Sequence, residues 1–167
     1  MKLFKLTLIF LIGIVSCNNR QTTKIERESQ PDIYGVSGTD AEINKSIETA
    51  NKTLDKFNEA LKSGNPDFEY FALKTRFNTP NGSEHIWVSN IILKDSKYFG
   101  VIDNLPESTT DVKLGDTIQN KNDNITDWMY IDNQKLRGGY TLRVLRNRMT
   151  ETERKQFDAD SGLIIEE

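Results

Sequence analysis

The chain has 167 residues, 36% of them hydrophobic, and its 22 basic and 25 acidic side chains give a formal charge of −3. That length fits one domain with a core of its own, and the acidic balance argues against a general nucleic-acid binder. One cysteine and one histidine exclude a disulfide framework and a Cys/His zinc site.

Residues 1–16 read as an export signal. Lys2 and Lys5 precede an apolar run over residues 6–15, broken only by Thr7 and Gly13. The run is short of the roughly 20 residues that span a bilayer, and it suits a cleavable signal. Ile14, Val15, Ser16 and Cys17 resemble the lipobox of bacterial lipoproteins. The resemblance implies cleavage before Cys17, acylation of its sulfur and anchorage to a membrane of the cell envelope. More than one acyl chain is what stable anchoring takes. An ordinary secretory signal that happens to contain a cysteine is the alternative. Loss of residues 1–16 would leave 20 basic against 25 acidic side chains, a formal charge of −5.

Residues 18–38 are polar, with Pro31, Gly35 and Gly38 and no hydrophobic period. They read as a flexible tether behind the lipidated Cys17, spanning roughly 25 Å as a coil. From residue 39 the pattern changes. Ile43, Ile47, Ala50, Leu54, Phe57 and Leu61 recur at alternating spacings of four and three, one stripe of an amphipathic α-helix. Thr39 and Glu42 suggest a capping box at its start, and Gly64 and Pro66 a stop. A coiled coil is the competing reading of the stripe, over about three heptads.

A period near two follows through residue 148. "FEYFALKTRF" (68–77) places Phe71, Leu73 and Phe77 on one face, with Lys74 and Arg76 on the other. Asn81 and Gly82 suit a tight hairpin. "EHIWVSNIIL" (84–93), "YFGVIDN" (98–104), "TIQN" (117–120), "ITDWMYID" (125–132) and "GYTLRVLRNRM" (139–149) read as the remaining strands, the last two joined by "NQKLRG". In "ITDWMYID" Trp128 and Tyr130 share one face, and Asp127, Met129 and Ile131 the other. Thr150 and Glu153 cap a short helix over residues 151–159, and residues 161–167 form a tail. The expectation is a single α+β domain over residues 39–160. Its N-terminal amphipathic helix packs on a curved, mainly antiparallel sheet of five or six strands, closed by the short C-terminal helix.

"EHIWV", "GVIDNLP", "LGD", "ITDWMYID" and "GGYTLRVLR" occur in that order between residues 84 and 146. Together they resemble the bacterial family catalogued as domain of unknown function 2314, over about residues 68–158. The resemblance implies an α+β domain of bacterial proteins, and it brings no activity, cofactor or catalytic residue.

Few residues bear on chemistry. His85, Asp103, Asp127 and Asp132 are the candidates for a carboxylate-dependent hydrolase, provided the fold gathers them. Asp103 and Asp132 end strands, where turn chemistry is the competing role. Asp127 lies inside a strand and wants a cation, for which the following arginines are the candidates. Gly138 and Gly139 read as backbone geometry before a strand, not as a phosphate cradle. The segment 133–150 holds Lys135, Arg137, Arg143, Arg146 and Arg148 without an acid. Trp128, Tyr140, Arg143, Arg146 and Arg148 are the candidate binding residues. An acidic protein or an anionic envelope ligand is the expected partner. The alternative role for the arginines is to neutralise acids elsewhere in the domain. No nucleic-acid partner, metal or cofactor is expected. Two functions survive: an envelope-anchored binding module, with protection against a rival's toxin as a variant, and a carboxylate-dependent hydrolase.

Overall fold

The computed structural model describes residues 22–25, 33–36 and 38–166. The expected export signal and Cys17 lie outside the described residues. Within the segment read as a tether, β1 (Thr22–Ile25) and β2 (Ile33–Val36) pair as a two-stranded sheet of their own.

The stripe that predicts one helix forms two, α1 (Ala41–Lys52) and α2 (Leu54–Ser63). The break is at Thr53, and its cause is tertiary. In a continuous helix the Ala50 carbonyl would serve the amide of residue 54; here it accepts from the Trp128 indole Nε1 at 3.0 Å and from Thr53 N at 3.2 Å. The N-cap is Asp40 rather than Thr39. Its carboxylate accepts from Glu42 N and Ile43 N, both at 3.2 Å, and a carboxylate is a better acceptor for unpaired first-turn amides than a hydroxyl. Gly64 ends α2 in the left-handed conformation.

Six strands form one open antiparallel sheet: β3 (Phe68–Thr79), β4 (Gly82–Lys94), β5 (Lys97–Ile102), β6 (Thr117–Asn120), β7 (Ile125–Asp132) and β8 (Lys135–Gly138), in the spatial order β6-β5-β4-β3-β7-β8. The fold is α+β, as the alternation implies. α1 and α2 cover one face, where Ala50 and Phe57 join Leu73, Ile86, Val88, Tyr98, Ile102 and Trp128 in the main core. Ala72, Met129, Ile131 and Leu136 form a smaller cluster, with Trp87, Leu142, Leu163 and Ile165 packed against it. This division agrees with the faces read from residues 127–131.

Beyond residue 132 the expectation fails. "KLRG", expected as a connection, is β8. Asn133 and Gln134 make its two-residue turn, both with positive φ (49° and 65°), the geometry of a tight hairpin. Residues expected as the last strand are instead α3 (Tyr140–Arg148), followed by α4 (Glu151–Ser161). Tyr140, Leu142 and Val144 satisfy a period of two, yet Thr141 and Val144, three apart, are the buried residues of a helix. The Thr150–Glu153 capping box is present as expected. Past Gly162 the chain returns to β8, where Leu136 N donates to Ile164 O at 3.0 Å and Ile164 N to Gln134 O at 2.7 Å.

Candidate functional site

Asp127 organises the junction between sheet and α3. β8 covers β7 only as far as Met129, which pairs with Gly138. Next to it Gly139 N donates to Trp128 O at 2.8 Å, and α3 starts there. Asp127 is fully buried, with its carboxylate on the helix N-terminus. Oδ1 accepts from Trp128 N (2.8 Å) and Tyr140 N (3.1 Å). Oδ2 accepts from Thr141 N (2.8 Å) and Thr141 Oγ1 (2.7 Å). The double glycine therefore does precede a helix, contrary to expectation, and the anion at that helix start is the chain's own carboxylate.

The cation opposite Asp127 is not an arginine. Lys74 faces it directly across β3 and β7, and its Nζ donates to Thr141 Oγ1 at 3.2 Å while lying 5.2 Å from the Trp87 ring centroid. Burial pushes the Lys74 ammonium down, and Asp127 pulls it back up. For Asp127 burial pushes the carboxyl up, with the charge of Lys74 and the bonds from Thr141 and the Trp128 amide opposing it. Lys74 was legible only as a cation on the sheet's second face. Its partnership needed the strand register.

The other candidate catalytic groups are dispersed. His85 lies between two hydroxyls, Ser83 Oγ at 3.2 Å and Thr126 Oγ1 at 3.0 Å. Burial, then the charges of Lys74 and Arg76, depress its imidazole to about 4. Asp103 accepts from the Tyr70 hydroxyl. Asp132 closes the β7–β8 turn and accepts from Arg137 at 2.7 and 3.0 Å. These four have no side-chain hydrogen-bonding partner in common among the described residues. Among the described residues no group of three or more His, Cys, Asp or Glu is placed to hold a metal.

Trp128 and Tyr140 belong to the core side of the junction. Trp128 is 3% exposed, stacked on Tyr130 and edge-on to Tyr140. The Tyr140 and Thr53 hydroxyls are 3.0 Å apart.

The arginines divide by partner. Arg148 reaches back to α1, with Nη1 2.6 Å from Asp40 Oδ2 and Nη2 2.7 Å from Glu42 Oε2. The guanidinium holds the Asp40 carboxyl below the usual range. Arg146 makes a two-pronged pair with Asp158 of α4, both bonds at 2.7 Å. These two do what the bland alternative expected. Arg143 does not. Its Nε donates to Gly138 O at 2.9 Å, its Nη2 to Leu136 O at 2.7 Å and its Nη1 to Glu166 O. All three acceptors are neutral carbonyls, and among the described residues no carboxylate is bonded to this half-buried cation.

Arg143, Arg146, Asn147, Arg154, Ile165 and Glu166 line a cleft of about 350 Å³ between α3, α4 and the C-terminal segment. Among the described residues, Arg154 Nε is buried without a hydrogen-bond partner, and Arg154 Nη2 reaches Asn147 O and Met149 O at 3.4 and 3.5 Å. Glu166 turns its carboxylate outward, to Lys135 at 2.7 Å and Arg137 at 3.7 Å. Arg154 escapes notice in the sequence because it lies among acids in a helical segment. Only the packing of α4 on α3 brings it beside Arg143.

Residues 40–165 match the family described as "Uncharacterized protein conserved in bacteria (DUF2314)". That range takes in α1 and α2, which the narrower resemblance over residues 68–158 left out. The Trp128–Ala50 and Arg148–Asp40 bonds make those helices part of the same unit. A protein of Neisseria meningitidis serogroup B, "Putative ankyrin repeat protein NMB1133/NMB1171", is 31% identical over 139 residues, which are 78% of this chain and 55% of that protein. "Uncharacterized protein YegJ" of Escherichia coli K12 is 33% identical over 100 residues, 60% of this chain and 64% of that protein. The chain thus spans between half and two thirds of the length of these curated relatives. No solved structure is a significant match.

Proposed function

This chain belongs to the DUF2314 family of uncharacterised bacterial proteins, and from that premise we propose that it is a non-catalytic binding module whose ligand is an anion held in the α3–α4 cleft. One observation carries the reading. The cleft gathers three guanidiniums, and among the described residues Arg143 is bonded to carbonyls alone and Arg154 has a buried Nε with no acceptor. An oxyanion, a planar carboxylate or a tetrahedral phosphate, supplies the acceptors that such forks prefer. The neutralised Arg146–Asp158 pair forms the wall beside them. The hydrolase reading gains nothing comparable, because His85, Asp103, Asp127 and Asp132 have separate partners.

Titration of the full chain with inorganic phosphate and with citrate, followed by calorimetry, tests the site. Saturable binding that weakens at least tenfold in Arg154→Ala supports it, whereas binding unchanged by that substitution removes the cleft from consideration.

The setting we infer is the bacterial cell envelope, with Cys17 lipidated and the domain held off the membrane by the residues that follow. The short apolar run over residues 6–15, closed by Ser16 and Cys17, supports this. Among the described residues no helix is long and apolar enough to cross a membrane. Incorporation of a fatty-acid analogue into the wild-type chain but not into Cys17→Ser is the expected result. Equal labelling of both would defeat the proposed anchor.

A further inference from the structure

We propose that the outer edge of β8 is a strand-accepting groove for an extended acidic segment of a partner protein, and that residues 163–166 occupy it in cis until displaced. The proposal goes beyond the anion-cleft reading and does not rest on it, because the acid of that segment meets Lys135 and Arg137, outside the cleft.

The geometry of the C-terminal segment states what the groove accepts. Ile164 runs parallel to β8 and takes both outward groups flanking Lys135, through Leu136 N→Ile164 O and Ile164 N→Gln134 O. The next outward carbonyls, Leu136 O and Gly138 O, are capped by the Arg143 guanidinium, which also donates to Glu166 O. Arg143 therefore ends the open edge and holds the main chain of whatever lies along it. Leu163 and Ile165, one residue either side of Ile164, pack against the floor made by Ala72, Met129, Ile131 and Leu136. Ile164 itself points outward and is 46% exposed. Lys135 and Arg137 meet the Glu166 carboxylate. The pattern read by the groove is apolar, any residue, apolar, acid, in an extended conformation. This is recognition by strand addition, in which main-chain bonds give affinity and alternate side chains give specificity.

Several features make the occupant displaceable. It holds the edge by one isolated bridge, not a ladder. Its acid is surface-exposed, and it hangs from α4 by Gly162, whose left-handed conformation (φ +64°) gives a hinge with open space around it. A partner segment with the same pattern makes the same contacts in trans, so its binding and the release of residues 163–166 become one exchange.

The probe is a fluorescein-labelled peptide copying residues 161–166, SGLIIE. Its anisotropy is measured with the full wild-type chain and with a full-chain Leu163→Asp/Ile165→Asp variant that frees the groove. The freed variant is expected to bind at least tenfold more tightly than wild type. A peptide with proline at the position of Ile164 is expected not to bind, because it lacks the donor to Gln134 O. If the double variant does not give the wild-type circular dichroism, full-chain Ile164→Pro serves as the freed form. Equal binding to wild type and freed chain, or none to a folded freed chain, overturns the groove. Concentration-dependent dimers of wild type that exchange this segment would overturn the partner in favour of a second copy. Phosphate binding that depends on Arg154, with no peptide binding, leaves the anion cleft standing and the groove refuted. Peptide binding unchanged by glutamine in place of the terminal glutamate, with no phosphate binding, does the reverse.

Discussion

Asp127 Oδ2 accepts from both the backbone N and the hydroxyl of Thr141, at 2.8 and 2.7 Å, so one buried oxygen fixes where the pairing of β8 with β7 stops and α3 begins. Asp127→Ala strands the amides of Tyr140 and Thr141 and leaves Lys74 facing no charge. A loss of about 3 kcal/mol is expected, measured as a lowered urea midpoint. Thr141→Val keeps the backbone bond, removes the hydroxyl's bonds to Asp127 and from Lys74, and should cost about 1–2 kcal/mol. A smaller effect for Asp127→Ala than for Thr141→Val would contradict the capping role.

Trp128 joins the sheet to the break between α1 and α2. Trp128→Ala is expected to destabilise the domain by about 3–5 kcal/mol. Trp128→Phe keeps most of the packing and loses the bond from Nε1 to Ala50 O, for about 1–2 kcal/mol. Circular dichroism on chemical unfolding reads both. An unchanged midpoint for the alanine variant would mean that the ring is not core.

Gly138 cannot carry a side chain. Its φ is +71°, and an added Cβ would lie 2.2 Å from Trp128 O. Gly138→Ala should lower stability by at least about 2 kcal/mol, while Gly38→Ala, with open space around it, stays within about 0.5 kcal/mol of wild type. Thermal melts of the two variants give the comparison.

His85 gives the fold a pH dependence of defined sign. Its folded value, about 4, lies below the ordinary 6.5, so the unfolded chain binds the proton more readily. Its contribution is neutral above pH 6.5, and stability falls as pH drops from there toward 4, by about 2–3 kcal/mol in all. Substitution with a residue that does not titrate, His85→Asn, should flatten that part of the profile. An equal slope in both proteins would assign the loss to other groups.

Much of this protein is written locally in its sequence. The stripe from Ile43 to Leu61, the alternation through β3, β4 and β7, and the Thr150–Glu153 box each depend on neighbours within a few residues. Period and capping therefore determine helix, sheet and the α+β class without reference to the rest of the chain. The sequence alone also carries the family resemblance and the expectation of a lipidated Cys17. Tertiary structure decided whatever depended on partners far away. Residues 140–148 satisfy both periods, and Asp127, with its four donors, settles them as a helix. The break at Thr53 arises because the Trp128 indole, 78 positions beyond Ala50, takes the Ala50 carbonyl that a continuous helix needs. Long-range packing likewise decided which cation faces Asp127, since Lys74 is its cross-strand neighbour whereas the arginines turn away on α3. It also sorted those arginines, giving Arg146 and Arg148 to carboxylates and leaving Arg143 and Arg154 in a cleft with neutral acceptors. Spacing along a chain sets which residues share a face. The identity of a charge's partner is set by which faces meet, and that is a property of the folded molecule.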